Sequence, residues 1–359
     1  MEIRFEKFDK ETSIDQQRKL FIECFPENIG SPVETVNHYN WKFHSIPGDI
    51  KSFEYSANSE DDIIGYYAAI PYKYTFNDQH LTAGMVCDVM TGIKARGKGV
   101  FTKLGRYSID QFKTNGIDFT TGYPIRPEVI PGHKKVGWEF PFELPMYGKF
   151  LSLKTFLKSR NLSFLSFIGD FLILVINTLI SFFRSPNREV NIEKYNSKSI
   201  DSILGFDDFT EKLSKETPIY LKKDLNFLKW RLGAPDKNYS IIILRKNNEI
   251  IAYSIARPVI KENVQCYGIL DFVTLKGYEK YSSVLLRENE IQAKNNNAEL
   301  LLTMISEKKA GKYKFLQNGY LKTPYKFSFI INKLNNAIDS KVLFDVNNWH
   351  LMWIDSDDL

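Results

Sequence analysis

Cysteine is scarce: the 359-residue chain has three, Cys24, Cys87 and Cys266, far apart and none in a Cys-x-x-Cys pair. Neither a disulfide framework nor a zinc knuckle follows from them, so a reducing, cytoplasmic setting and no metal are expected. Glycine and proline are modest at 20 and 14 residues, and 25% of residues are charged. That balance excludes collagen-like repeats, low-complexity scaffolds and global disorder. Neither sign of charge dominates: 48 basic against 43 acidic side chains leave +5, too slight an excess to argue for nucleic acid, although a locally basic pocket for a phosphorylated ligand is compatible with it. The polar first residues lack the apolar core of a signal peptide. At about 150 residues per domain, the length fits two domains.

One long apolar run stands out. Residues 162–183 form a 22-residue stretch, long enough for a membrane span. Asp170, Asn177 and Gly169 lie inside it, and basic residues flank both ends (Lys154, Lys158 and Arg160; Arg184 and Arg188). An Asp near a bilayer centre costs ~2.5–3.5 kcal/mol, and symmetric flanks give no orientation. The segment therefore reads as a buried or membrane-surface helix, with Gly169 as a break point.

The two halves share a grammar. Trp41-Lys42-Phe43 and Trp230-Arg231-Leu232 each end a helix-like segment before a Pro turn, and two strands follow. Trp41 and Trp230 are 189 residues apart, Tyr66 and Tyr253 187, Pro71 and Pro258 187, Asn115 and Asn296 181, Gly137 and Gly319 182. Small loop deletions account for such drift, so the pattern reads as a diverged duplication. Within the first copy, periodicity predicts a strand at 3–8, a helix from Ser13 to about Phe25, and a helix over 32–43. Strands follow at 52–57, 63–70, 72–76 and 83–91. A helix then runs from about Phe101 to Asn115-Gly116, followed by a strand at 117–122, a short helix ending near Gly137 and a strand over 140–147. These elements describe a mixed sheet with helices on both faces.

The sharpest local signal is Thr91-Gly92-Ile93-Lys94-Ala95-Arg96-Gly97-Lys98-Gly99, between a strand and a strongly amphipathic helix. Two glycines flanking Lys98 let several N–H groups converge on an anion at the positive end of that helix. It is neither a Walker loop nor a dinucleotide fingerprint. With its context, the segment resembles the acyl-CoA loop of the GNAT acetyltransferase superfamily, Gln/Arg-x-x-Gly-x-Gly/Ala, matched at Lys94, Gly97 and Gly99 with Arg96 and Lys98 between. Asp88-Val89-Met90-Thr91, the run from Arg96 to Leu104, the Trp41 triplet and Gly137-Trp138 are similar to one subgroup. Gly92-Ile93 departs from that subgroup's His-Pro, and Lys94 from its Gln or Arg.

The resemblance covers residues 1–150. It implies an α/β fold with a mixed sheet, here as two tandem acyl-CoA N-acyltransferase folds: 1–150 with the loop, a hydrophobic helical linker at 151–188, a degenerate copy at 189–335 and a tail at 336–359. It implies that the backbone of Val89, Met90 and Thr91 pairs with the pantetheine arm along the open edge of a strand splayed from its neighbour. Lys94 and residues Arg96, Gly97, Lys98, Gly99 and Val100 would surround the pyrophosphate. The second copy has Lys276-Gly277-Tyr278-Glu279 at that place, where one glycine and an added carboxylate oppose phosphate binding.

Acyl transfer to an amine needs a base, an oxyanion donor and an acid for the thiolate. By resemblance the acid stands four residues before the glycine of the short helix, which is His133 here; the second copy has Phe315 there. Asp88 and Glu128 are candidate bases, although Asp88 recurs as Asp271, which favours a structural role such as capping a bulge. Trp41 and Trp230 read as repeat core, and the aromatic tail from Trp349 reads as packing inward with a solvated acidic end. The expectation is an enzyme, an N-acetyltransferase using acetyl-CoA and a small amine acceptor such as an amino sugar. The alternatives are an inactive membrane-surface or interaction protein of the same fold, and an aminoacyl or fatty-acyl transferase.

Overall fold

A computed structural model of the chain describes residues 2–77, 79–182 and 189–357; Phe183, Arg184 and Arg188 of the apolar run and its flank lie outside them. In chain order the elements are β1 (Arg4–Lys7), α1 (Lys10–Cys24), α2 (Val36–His44), β2 (Phe53–Ser59), β3 (Asp62–Phe76), β4 (Gln79–Thr91), α3 (Val100–Thr114), β5 (Phe119–Gly122), α4 (Ile130–Val136) and β6 (Glu139–Phe150). Two helices follow, α5 (Lys154–Ser159) and α6 (Ser166–Phe182). The remainder is β7 (Asn191–Asn196), α7 (Phe206–Glu216), β8 (Ile219–Leu221), α8 (Leu225–Leu232), β9 (Ser240–Lys246), β10 (Glu249–Lys261), β11 (Val264–Thr274), α9 (Ser282–Asn295), β12 (Leu300–Met304), α10 (Glu307–Lys312), β13 (Leu321–Lys333) and α11 (Ser340–Leu343). Apart from β8 and α11, this second run repeats the order of the first.

Two units emerge, and neither is contiguous. The first comprises the chain up to Phe142, Pro218–Asp236 and Ser328–Asn348; the second comprises Glu143–Thr217, Lys237–Phe327 and the chain from Trp349. The segments expected at 1–150, 151–188, 189–335 and 336–359 therefore differ from the compact units, because strands are exchanged. In the first unit β5 pairs with residues 330–333 of β13, and in the second β12 pairs with residues 146–150 of β6.

In the first unit the sheet runs β1-β2-β3-β4-β5, ending on the late strand, with β8 added to β3. β3 is one strand of 15 residues where two were expected around Pro71. Pro71 is tolerated because β2 accompanies β3 only to Ala69 and β8 begins opposite Tyr74, so one flank has no ladder to break there. Alternation along β3 sends Tyr67 to the α3 face, against Phe112, and Tyr66 to the α1/α2 face, against Phe8 and Phe43. Asp9 caps α1 by accepting the Glu11 N–H, so the helix starts before Ser13. On α2 and α8 the two tryptophans stack at 5.9 Å and exchange hydrogen bonds. Trp41 Nε1 donates to the Trp230 carbonyl at 2.6 Å and Trp230 Nε1 to the Trp41 carbonyl at 2.9 Å. Like residues meeting like in this way form an isologous contact, as in a two-fold interface.

The second unit has the order β6-β12-β11-β10-β9-β7, antiparallel except for β11–β12. Its parallel ladder runs only from Cys266 to Ile269. The tail packs against β11: Trp349 and Leu351 through Ser356 are buried, and the Trp353 ring lies 3.3 Å from where a Cβ on Gly268 would stand. The solvated acidic end expected from sequence does not hold at Asp355, which is buried because five large apolar side chains dominate the segment; Asp357 is half-buried and Asp358 lies outside the described residues. His350 is buried between Asp271 Oδ1 (3.2 Å from Nε2) and Lys309 Nζ (2.8 Å from Nδ1).

Candidate active site

The candidate site begins at a bulge. Asp88 and Val89 together oppose Tyr67, since Tyr66 pairs with Met90 and Ala68 with Cys87. Asp88 takes a left-handed φ of 47°, a conformation an Asp tolerates better than a branched residue. Its carboxylate receives Lys42 Nζ at 2.7 Å, with both side chains about nine-tenths buried. Burial opposes the charge, but Lys42 and then Arg18 outweigh it and hold the carboxyl below its ordinary value. Lys42 thus ties α2 to the bulge.

Beyond the bulge, β4 has a partner on one side only. Its parallel ladder with β5 covers Ala83, Gly84 and Met85 and stops there, while β3 continues opposite β4 as far as Thr91. The strands are parted as expected, and the backbone of Val89, Met90 and Thr91 lies on the stretch past the last β5 pair. Met90 is buried, whereas Val89 and Thr91 are half-buried. The chain then turns through Ile93–Ala95 into α3. Gly97 and Gly99 have φ of 75° and 76°, and Gly99 begins α3 with no side-chain cap. The first-turn N–H groups therefore lack a side-chain acceptor. A Cβ on Gly97 would meet nothing within 4 Å, and one on Gly99 only Lys103 Cε at 3.9 Å. The glycines serve backbone conformation and leave an open cradle. Lys94, Arg96 and Lys98 are exposed around it; Arg96 Nε donates to the Thr91 carbonyl at 3.3 Å. Val100 sends its side chain into the core against Gly65, so only its amide faces the turn.

The corresponding turn of the second unit is filled by its own carboxylates. Glu279 Oε2 accepts the Gly277 N–H at 2.9 Å and Glu216 Oε2 accepts the Lys276 N–H at 2.8 Å. These acceptors occupy amides that would otherwise face a phosphate.

The model of the acetyltransferase (GNAT) domain family matches residues 9–150. This segment is a GNAT domain. No curated protein matches the sequence. Among solved structures the chain is similar to a GCN5-related N-acetyltransferase from Anabaena variabilis (TM-score 0.65, 12% identity, covering 93% of this chain and 73% of that one). It is also similar to a GCN5-related N-acetyltransferase from Kribbella flavida (TM-score 0.61, 11% identity, 93% and 71%). At such identities these likenesses speak for the fold. A GNAT domain supports N-acyltransferase activity.

The three expected catalytic residues of the GNAT domain sit apart. Asp88 engages α2 on one face of the sheet. His133, on α4, is buried on the α3 face, edge-on to Phe101 at 5.1 Å and Trp138 at 5.7 Å. Glu128 is exposed in the turn Pro127–Val129. Burial drives His133 down to about 4, so its imidazole is neutral at pH 7 and suits proton acceptance better than donation. His133→Phe is expected to lower turnover more than CoA affinity, and a pH–rate profile should place the His133 limb near pH 4, not near 6.5. An unchanged rate in the variant would remove His133 from the chemistry. For stability the sign is the usual one for a depressed pKa: the contribution is full above about 6.5 and is lost as pH falls through about 4.

Sequence reasoning missed a buried carboxylate on the α1/α2 face. Glu54 of β2 accepts hydrogen bonds from Tyr66 Oη at 2.6 Å, Ser52 Oγ at 2.7 Å and Tyr39 Oη. Arg18 lies over the Phe21 and Tyr39 rings at 4.5 and 5.1 Å. Burial, reinforced by Glu54, pushes both tyrosines far above their ordinary value. The available signal was a charged residue between two aromatic ones, Phe53-Glu54-Tyr55.

Proposed function

We propose that the chain transfers an acetyl group from acetyl-CoA to the amino group of a small polar acceptor, with an amino sugar as the first candidate. The observation that carries this reading is the uncapped glycine turn at 96–99 opening α3, beside a β4 edge that β5 has left. In this reading amides near Gly97, Gly99 and Val100 hold the pyrophosphate, Lys94, Arg96 and Lys98 neutralise it, and the backbone of Val89–Thr91 aligns the pantetheine arm. The fit is chemical: φ-positive glycines, unspent N–H groups and an open volume are what two linked phosphates require.

Bound acyl-CoA supplies the activated thioester. Reaction with an amine forms a C–N bond, breaks the C–S bond, releases a proton from nitrogen and returns one to sulfur. Neutral His133 is the candidate to accept the amine's proton. Asp88, paired with Lys42, serves to hold the bulge and not as a free base, which leaves exposed Glu128 as the other candidate base. We also read the repeated order of elements and the exchanged Trp41–Trp230 contacts as a duplication in which only the first copy keeps a cofactor turn. Incubation of a small amine panel with labelled acetyl-CoA, followed by mass spectrometry, should yield an acetylated amino compound. Failure with every amine, alongside measurable acetyl-CoA binding, would overturn the choice of acceptor and leave the cofactor site standing.

A further inference from the structure

Within the described residues of the apolar run the α-helix is α6, which continues unbroken through Gly169, where a Cβ would stand 3.1 Å from Leu157 and 3.2 Å from Leu153. Helix α6 is turned inside out relative to an ordinary surface helix. The residues that face its own unit include the polar ones: Asp170 Oδ1 accepts from the Leu153 N–H at 2.7 Å and Ser152 Oγ at 2.9 Å, and Asn177 Nδ2 donates to the Phe150 carbonyl at 3.1 Å. Gly169 and Ile180 share that face. The outward face is apolar, with Phe167 83%, Phe171 58%, Leu174 59%, Leu179 56% and Phe182 84% exposed; Phe164, just before the helix, is 75% exposed. At 3.6 residues per turn, the outward apolar positions from Phe167 to Phe182 span an arc of about 200°.

An ordinary surface helix turns an apolar stripe of about 100° or more toward its core, whereas here a wider apolar arc faces outward. The charge nearby is basic. Lys154, Lys158 and Arg160 are exposed in and after α5, and residues 144–169 contain no Asp or Glu. Among the described residues no helix is long and apolar enough to cross a membrane; 17 residues reach about 25 Å.

We propose that α6 lies within the headgroup–acyl boundary of an anionic membrane, its outward face among the acyl chains and Lys154, Lys158 and Arg160 at the phosphates. Asp170 and Asn177, which argue against a span in the bare sequence, are the polar anchors that fasten the helix to its unit. The proposal stands independently of the acyl-transfer reading.

The test is flotation of the full chain with phosphatidylcholine vesicles, with and without one-quarter phosphatidylglycerol. The wild type should rise with the anionic vesicles. The triple variant Phe167→Ser/Phe171→Ser/Leu179→Ser, which changes only exposed side chains, should bind at least tenfold more weakly. Lys154→Gln/Lys158→Gln/Arg160→Gln should lose severalfold, on anionic vesicles only. A wild-type chain that stays at the bottom, or a triple variant that floats equally well, overturns the proposal. So does a dimer in light scattering that the triple variant abolishes without any vesicle binding, since that assigns the face to a second copy.

Discussion

In isothermal titration calorimetry, Gly97→Trp is expected to weaken acetyl-CoA binding by about a hundredfold or more, with the protein still folded by circular dichroism. The size follows from what the indole displaces. Gly97 has φ 75° and open space beyond its missing Cβ, so a large side chain projects into the volume assigned to the pyrophosphate. Losing two charge-assisted amide contacts at about 1.5–3 kcal/mol each accounts for the ratio. Gly97→Ala separates filling from strain: it carries the same left-handed penalty, about 1–2 kcal/mol, but its methyl meets no neighbour, so its loss of affinity should be small. Retained affinity in Gly97→Trp would refute the site. Equal loss in both variants would instead assign the glycine's role to conformation alone.

The bulge, the turn and α3 were legible in the sequence because each depends on local chemistry. Gly97 and Gly99 mark φ-positive positions, and the α3 periodicity ends at Asn115-Gly116 as the structure has it, with the helix over Val100–Thr114. What depended on partners was not legible. Strands β6 and β13 have the same apolar pattern whichever neighbour they pair with, so the exchange that completes each unit leaves no trace in periodicity. Pro71 looked like the end of a strand because the interruption of its lateral partner, between Ala69 and Tyr74, is a tertiary fact. His133 was chosen from a spacing, and spacing cannot show that two rings close around the imidazole. Asp170 and Asn177 counted as disruptions of an apolar run until the helix put both on the side that faces its unit.

Removing the charge of Lys42 should be the most destabilising single change at the site. Lys42→Met keeps the length and apolar stem but leaves Asp88 as an unpaired buried carboxylate at a left-handed position. Breaking such a pair costs about 3–5 kcal/mol, a fall of roughly 10 °C in thermal midpoint at 2–4 °C per kcal/mol. Because the pair fixes the bulge after which β4 has lost its β5 partner, acetyl-CoA affinity should fall too, although Lys42 is not assigned to the ligand. Lys42→Met/Asp88→Asn should recover much of the stability, since the carboxylate deprived of its ion-pair partner is gone and Asn also tolerates positive φ. The pH dependence has a definite sign. The folded carboxyl lies below its ordinary value, so the pair's contribution is full above about pH 4 and is lost as pH falls through the folded pKa. The gap between the denaturation curves of wild type and Lys42→Met should narrow as pH falls, beginning above the ordinary carboxylate range, where the variant's buried Asp88 takes up its proton, and ending at the lowered folded pKa of the wild type. A constant gap across that range would show that Lys42 stabilises the bulge through its stem and not through its charge.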